Sequence, residues 1–475
     1  MGIRTVALFS DADRTAMHVC MADEAFSVGG NTPNESYLRQ ELVLDIAKRS
    51  RADAIHPGYG FLSENPNFAE KVESTGLIFI GPSAKAIRAL GDKTAARKMA
   101  NELNIPTVPG TRDPLRDSDD VASIAEKIGY PVLLKAAAGG GGKGMRVVNA
   151  REQLADAFRT ARSEAGNAFG DDRVYLEKYL QNPRHIEIQV LADTFGNTVF
   201  LGERECSIQR RHQKIIEETP STIVDDEMRM AMGQAAVRLV RSVGYSNAGT
   251  VEFLVDEQRK FYFLEVNTRL QVEHPVTELV TGIDLVREQI FISEGNKLRF
   301  KQDTLGRQGH AIECRICAED PEDSFFPSTG PVMRYVPPLG PRVRVDSGLL
   351  EGDSVTIFYD SLMAKVITWG PDRSDAINSM KRALREFVLE GVKSTIPFCL
   401  AVLNNKQFQN GAFDTRFVDK EFMATRAEPK SSRFEIAAAV TALLMQGARP
   451  DQADSRIDRI GDHSSWKMQR RNSLG

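Results

Sequence analysis

Two stretches of this chain hold residues whose types and spacing suit chemistry on a phosphate. AGGGGKGM (138–145) places Gly139, Gly140, Gly141 and Gly142 in succession, followed by Lys143 and Gly144. Ordering glycine costs more backbone entropy than ordering any other residue, and its missing Cβ lets N–H groups approach an anion closely. The run lies between two strand patterns, and it lacks the GxxxxGK[ST] and GxGxxG contexts. It reads as a lid that covers phosphates, with a plain hairpin tip as the alternative. The second stretch is FYFLEVNTRLQVEHP (261–275). Strand side chains alternate, so Glu265, Asn267 and Arg269 are expected on one face. Glu252 sits inside the apolar run VEFLV, and a loop at 257–260 sets it opposite Glu265. Two carboxylates and an amide oxygen make a hard-oxygen set for Mg²⁺ with nucleotide phosphates. Without a cation they repel across the strand pair. A solvated face with spare charges is the plainer reading, and it leaves the apolar flanks unexplained.

Other charged residues carry weaker signals. Lys135 ends the apolar strand PVLLK, where it either reaches phosphates or snorkels. Lys93 starts a helix and by itself is an ordinary surface lysine. GERECSIQRRHQKIIEE (202–218) brings Arg204, Arg210, Arg211, His212 and Lys214 into one stretch. It reads either as a cationic patch for phosphate or bicarbonate or as a charged loop paired with its own glutamates. His185 and His274 are lone histidines, which are more often packed than catalytic. Glu273 lies beyond the metal set, where a carboxylate near cations could take a proton.

These residues need elements to hold them. TVALFS (5–10), ADAIH (52–56) and LIFIG (77–81) read as buried strands. Helical patterns at 37–50 and 65–74 alternate with them, which predicts a parallel α/β sheet. A helix follows at 92–104 with Asp92 as its N-cap. Strand, glycine run and strand fill 130–148, a helix spans 151–165, and a short strand covers 174–180. HIEIQVLADTFGNTVFLGERE (185–205) reads as a hairpin turning at Gly196-Asn197. After a helix at 225–243, a second hairpin joins 249–256 to 261–269. A region rich in strands begins at HAIECRICAED (310–320), and its last clear helix is 373–389. Beyond Phe422 the sequence turns polar, with one apolar helical pattern at 434–445.

The chain has 475 residues, room for two to four domains, and its hydrophobic fraction of 41% can bury ordinary cores. Lys+Arg is 61 and Asp+Glu is 65. This balance argues against bulk nucleic-acid binding and against a basic membrane face. Five cysteines in such a chain do not make a disulfide framework. Cys314 and Cys317 form a CxxC with no second pair to complete a zinc site. They read as ordinary strand thiols in a reducing compartment. No apolar run approaches the roughly 20 residues of a membrane helix. The N-terminus, MGIRTVALFSDADR, has no leader pattern.

Taken in order, HPGYGFLSEN (56–65), GDK (91–93), PVLLKAAAGGGGKGM, EKYL (177–180), PRHIEIQVL (183–191), CSIQRRHQK (206–214), EVNTRLQVEHPVTE (265–278), HAIECRI (310–316) and YDSLMAKV (359–366) resemble biotin carboxylase. The similarity runs over about residues 1–423. The lid and the ExNxR strand are shared by ATP-grasp enzymes at large, whereas HPGYGFLSEN and RLQVEHPVTE are narrower. The resemblance implies an α/β plus α+β chain. Residues 1–90 would form an N-terminal parallel-sheet domain and 91–300 an ATP-grasp fold with its lid at about 107–179. Residues 301–423 would form a biotin carboxylase C-terminal domain, and 424–475 a tail resembling the start of a tether domain.

The resemblance also implies roles. Lys93, Lys135, Glu177, Lys178, Leu180, His185, Gln209 and His212 would hold ATP, with the lid 139–144. Glu252, Glu265 and Asn267 would hold two Mg²⁺ or Mn²⁺ ions. Arg269, Gln271 and Val272 would bind bicarbonate, and Glu273 would deprotonate it. Lys214 would contact bicarbonate and the transferring phosphate, and Arg315 would stabilise the biotin enolate. Bicarbonate would attack ATP to give carboxyphosphate, which releases CO₂ to carrier-bound biotin. The implied partners are a biotin carboxyl carrier protein or domain, a carboxyltransferase subunit and a second copy in a homodimer, with no nucleic acid and no membrane. The implied compartment is the cytoplasm, with the mitochondrial matrix as the alternative.

Three departures stand out. An ANRGEIA-like first βα unit is missing, which is expected to expose a sheet edge. No AMKM-like biotinylation sequence is present, so the carrier is expected elsewhere. Cys317 stands where the family usually has Asn. Two other functions compete: a different ATP-grasp ligase, betrayed by dependence on ammonia or an aminoimidazole, and a truncated subunit that binds without turnover, betrayed by absent ATPase activity.

Overall fold

The computed structural model describes residues 1–475 except 112, 116–119, 137–144, 170 and 424–475. The glycine lid and the helical pattern at 434–445 therefore lie outside the described residues.

The molecule is organised by alternation within one strand. In Arg184–Ala192 (β8), Ile186, Ile188 and Val190 point into an apolar core, while His185, Glu187 and Gln189 alternate with them. Such a pattern usually marks a strand with one wet face. Here all nine residues are buried, so the polar face must be satisfied inside the protein. β8 pairs antiparallel with Thr198–Arg210 (β9) and with Asn247–Val255 (β11). The β8–β9 turn places Gly196 at φ 89, and Asp193 Oδ1 accepts from the N–H of Phe195 and of Asn197. Gln213–Thr219 (β10) follows β9 through a tight turn in which Arg211 and His212 both take positive φ.

The whole sheet has eight strands, all paired antiparallel. Phe261–Asn267 (β12) comes first, then β11, β8, β9 and β10. His310–Cys317 (β13) is next, followed by Leu362–Gly370 and Val343–Ser347. It is continuous across residue 300, so β10 pairs directly with β13. Its apolar face lies under the helix Asp226–Ser242, whose N-cap Asp225 accepts from Met228 N–H at 2.9 Å. The helices Ala84–Gly91 and Lys93–Glu102 contribute Leu90 and Ala96 to the same core. The helix His274–Thr281 lies against β9, β10 and β13, and Thr277 reaches Arg204.

The N-terminal strands keep the expected parallel pairing but as two ladders, not one sheet. Val6–Phe9 (β1) pairs with Glu24–Ser27 (β2), and Ala54–Ile55 (β3) pairs with Ile78–Phe79 (β4). β2 escapes a sequence reading because EAFS is half-buried and exposed by turns and forms no apolar run. Val132–Ala136 (β5) is flanked by Met145–Val148 (β6) and Val174–Lys178 (β7) in a separate three-stranded sheet. The expected last helix of the C-terminal region is not the last. After Arg373–Glu386 come Ile396–Asn404 and Lys406–Gln409. The first of these is so apolar, IPFCLAVLN, that it shows no polar face to mark its period.

Candidate active site

The polar face of the large sheet gathers charged side chains around one ammonium. Lys214 Nζ donates to Glu187 Oε2 at 2.6 Å, to Glu252 Oε1 at 2.9 Å and to Glu273 Oε1 at 2.6 Å. Glu187 and Glu273 are 0% exposed. A register irregularity between Lys214 and Ile216 accompanies this placement, because a bulge re-aims a side chain. Arg204, also 0% exposed, is hydrogen-bonded to Glu187 and donates to Gln189 Oε1 at 2.7 Å and Thr277 Oγ1 at 2.9 Å.

β11 and β12 supply the oxygen set. Their register pairs Glu252 with Glu265 and Thr250 with Asn267, so the expected opposition of the two carboxylates is found. Glu252 is buried, and His185 Nε2 lies 2.9 Å from its Oε2. Asn267 Nδ2 donates to Glu252 Oε1 at 2.8 Å. Glu265 is half-buried and paired with Lys93 Nζ at 2.5 Å. A cavity of about 480 Å³ opens here, lined by Glu64, Lys93, Glu265 and Asn267 among others. The donors fit a divalent cation: two opposed carboxylates and an amide, neutralised here by the ammonium groups of Lys93 and Lys214 and by His185.

Arg269 lies beyond the end of β12, on the chain leading to the helix His274–Thr281. Its Nε donates to Glu64 Oε2 at 2.9 Å, and its Nη1 to Gln271 Oε1 at 3.4 Å. Glu64 comes from the N-terminal region and also accepts from Thr268 N–H at 2.9 Å. The Val272 carbonyl accepts from Lys365 Nζ at 2.7 Å. Glu273 stands just before the helix, where Arg315 Nη2 donates to its Oε2 at 2.9 Å. Arg315 also donates from Nε to Glu217 Oε1 at 2.6 Å.

Electrostatics separates these acids. Burial raises the Glu273 carboxyl, but Lys214, Arg315 and Arg204 outweigh it and hold the group well below the usual carboxylate range. Glu252 is lowered likewise: burial opposes, and Lys214 and His185 prevail. Burial depresses His185, but the charge of Glu252 outweighs it and lifts the imidazole above its ordinary value. Lys214 stays charged, because its three carboxylates overcome its burial.

The nucleotide residues expected from sequence divide into groups. Glu177 is buried on β7, bonded to Arg97 and 3.7 Å from Lys135 Nζ. Gln209 is buried on β9 directly across from Lys214. Leu180, just past β7, is partly buried. The Lys178 ammonium donates to the carbonyls of Gly129 and Tyr130 at 2.8 and 2.9 Å, so it is held by the lid sheet and not aimed at the acidic cluster. The expected cationic patch at 204–214 is not one patch, and the stretch is not a loop. It is the β9–β10 hairpin, and alternation scatters its charges. Arg204 and Lys214 lie inside the cluster, and Arg211 and His212 are exposed at the turn. Arg210 stacks over Phe325 with 4.4 Å to the ring centroid. His274 is a packed histidine, its Nδ1 2.9 Å from the Gln271 carbonyl, with its pKa pushed down to about 3 by burial and by Lys365. Sequence reasoning misses Glu187, Glu217, Glu313, Glu64 and Lys365. The overlooked signal is a charge at every second position of an apolar strand, as in HIEIQV and AIECRI.

A sheet with opposed carboxylates, a lysine shared among acids and a separate lid sheet defines an ATP-grasp ligase. The residue matches are specific. Residues 1–87 match the biotin carboxylase N-terminal domain, and 92–301 match the ATP binding domain named for the carbamoyl-phosphate synthase L chain. Residues 313–420 match the biotin carboxylase C-terminal domain. Biotin carboxylase 1 of Bacillus subtilis is 51% identical over 420 residues, 88% of this chain and 93% of that one. The mitochondrial propionyl-CoA carboxylase alpha chain of Mus musculus is 47% identical over 478 residues, 98% of this chain and 66% of that one. A biotin carboxylase complex from Campylobacter jejuni superposes with a TM-score of 0.84 at 45% identity, covering 89% of this chain and 94% of that one. The chain belongs to the biotin carboxylase family and is an ATP-dependent ligase that carboxylates biotin, the first half-reaction of biotin-dependent carboxylases.

Proposed function

We propose that the cluster around Lys214 holds bicarbonate against the γ-phosphate of ATP, with Glu273 as the base. The observation that carries this is the burial of Glu273 between Lys214 and Arg315. Arg269 and Gln271, with the backbone at Val272, orient bicarbonate. Lys93, Lys135, Glu177, Lys178, Leu180, His185, Gln209 and His212 line the ATP site, with the segment 139–144 over its phosphates. Glu252, Glu265 and Asn267 would hold two Mg²⁺ or Mn²⁺ ions, which when bound neutralise charge on the phosphoryl oxygens.

With Lys214 on it, Glu273 is ionised but weakly basic. Drawing Lys214 toward the phosphate loosens that hold, so basicity rises as the substrates assemble. Glu273 takes the bicarbonate proton, and the oxygen freed attacks the γ-phosphorus while ADP leaves. The carboxyphosphate formed breaks to CO₂ and phosphate, and that phosphate takes the N1′ proton of biotin. Arg315 stabilises the enolate that attacks CO₂. Water exclusion matters because carboxyphosphate hydrolyses.

The chain works with a biotin carboxyl carrier and a carboxyltransferase, and as a homodimer. An acyl-CoA carboxylase α chain of the propionyl-CoA type is favoured: the mouse and human relatives align over 98% of the chain, the Bacillus biotin carboxylase over 88%. Glu273→Gln should abolish carboxylation of free biotin and leave ATP affinity within about twofold, read by nucleotide titration; a loss on the order of 10³-fold is expected for a general base. Equal loss of nucleotide affinity would contradict the role.

A further inference from the structure

Beside Arg315, two further acids face each other. Glu217 on β10 and Glu313 on β13 are direct register partners, and opposed residues of an antiparallel pair lie side by side on one face. Both are 0% exposed. Neither oxygen of Glu313 has a hydrogen-bond partner among the described residues, and neither has Glu217 Oε2; Glu217 Oε1 takes Arg315. Two buried carboxylates side by side, with three of four oxygens unsatisfied, do not both stay ionised. One proton between them removes a charge and gives the orphaned oxygens a donor.

We propose that Glu217 and Glu313 share one proton and are positioning residues that set the negative charge facing Arg315. This rests on the enolate-stabilising role given to Arg315 above. The charged neighbours are Arg315 itself, Lys365 on the adjoining strand, Glu273, and Lys214 on β10. His274 and Glu278 lie on the covering helix, with Lys365 near His274. The thiol of Cys206, neutral through burial, completes the shell, while Cys314 alternates to the other face of β13, toward Cys399. Glu218, the next residue along β10, turns the other way, onto His310 and Arg373. Burial drives Glu217 up to about 7 against the pull of Arg315, and drives Glu313 well above the carboxylate range. The pair therefore holds a proton to higher pH than ordinary carboxylates do and gives it to solvent as the pH rises. Release leaves a second negative charge beside Arg315 and weakens its hold on the enolate.

The unaltered protein should lose kcat/KM for free biotin as pH rises from about 6 to about 9. Glu313→Gln leaves Glu217 alone with Arg315 and ionised throughout, so the limb should flatten. The variant should match the parent near the acid end and exceed it about threefold or more at the alkaline end, with KM for ATP unchanged. Glu313→Asp keeps a titrating acid and should restore the limb, whereas a merely structural role would scale the whole profile. A Glu313→Gln profile that superimposes on the parent overturns the proposal. Infrared spectra of the unaltered protein keep it testable if the variant misfolds: a protonated-carboxyl band should be present near neutral pH and weaken as the pH rises, and a spectrum without that band near neutral pH overturns the proposal. An inactive Glu273→Gln beside an unchanged Glu313→Gln profile would sink the pair alone. A fully active Glu273→Gln would sink the site reading, while the infrared band still decides the pair.

Discussion

On the sheet face under the helix Asp226–Ser242, Glu203 and Glu218 each have a guanidinium fork of their own, while Glu205 is held by the hydroxyls of Ser207 and Ser221. Glu203 accepts from Arg229 Nε at 2.6 Å and Nη2 at 2.8 Å. Glu218 accepts from Arg373 at 2.7 and 3.0 Å and lies 2.8 Å from His310 Nε2. On the opposite face, one flexible ammonium serves Glu187, Glu252 and Glu273, and one guanidinium serves Glu217 and Glu273. A planar fork against one carboxylate fixes geometry. A lysine spread over three carboxylates leaves negative charge that an incoming cation or phosphate can reorganise. The first arrangement fixes geometry, and the second can be rearranged.

Altering the second face should strike activity while sparing the fold. Glu265→Lys puts a cation where a metal would sit, so carboxylation should fall by roughly 10³-fold, as for loss of a main electrostatic contact. Its partner Lys93 is 60% exposed, and such pairs hold little stability. Urea midpoints should therefore barely move. A variant that keeps its Mg²⁺ dependence would remove Glu265 from the oxygen set.

Altering the first face should do the reverse. Arg229→Met leaves buried Glu203 with the Ser221 N–H at 3.1 Å and the more distant Arg307 at 3.6 Å, so a loss of about 3 kcal/mol is expected. Activity per folded molecule should stay near the parent's. Denaturant melts paired with active-site titration separate the two effects, and a variant that is stable but inactive would break the contrast.

The Glu218 pair gives the pH signature of that face. Burial raises its carboxyl, but the His310 hydrogen bond and Arg373 outweigh it and bring it down to about 2. A depressed folded-state pKa means the stability it contributes is present above the unfolded value near 4.5 and is lost as pH falls toward 2. Glu218→Gln should therefore cost roughly 3 kcal/mol near neutral pH and progressively less on acidification. A cost that stays constant from neutral to acid would mean that charge is not what holds Glu218.

Much of the oxygen set is legible in the residues alone. VEFLV and FLEVN carry single charges inside apolar runs, and hairpin geometry sets Glu252 against Glu265, as found. Asp92 is legible as a cap from its place ahead of a helical pattern. Glu187 and Glu313 do not stand out, because HIEIQV and AIECRI look like ordinary strands with one wet face. Only tertiary cover turns such faces inward, as the helix His274–Thr281 does where it lies against β9, β10 and β13. The split of 204–214 is hidden for a related reason: residues close in sequence are parted by the alternation of β9 and β10, and the bulge that aims Lys214 leaves no local mark.

The smallest expected effect joins the two faces. Lys93 is the first residue of the helix Lys93–Glu102 and carries the ammonium that meets Glu265. The preceding Asp92 accepts from Ala95 N–H at 2.7 Å, satisfying one of the helix's unpaired donors. Asp92→Ala should cost about 1 kcal/mol, and Asp92→Ser should recover most of it. The frayed first turn also loosens Lys93, so KM for ATP should rise with the alanine and return with the serine. A stability loss with no change in KM would show that Lys93 is placed by Glu265 alone, and that the helix does no more than carry it.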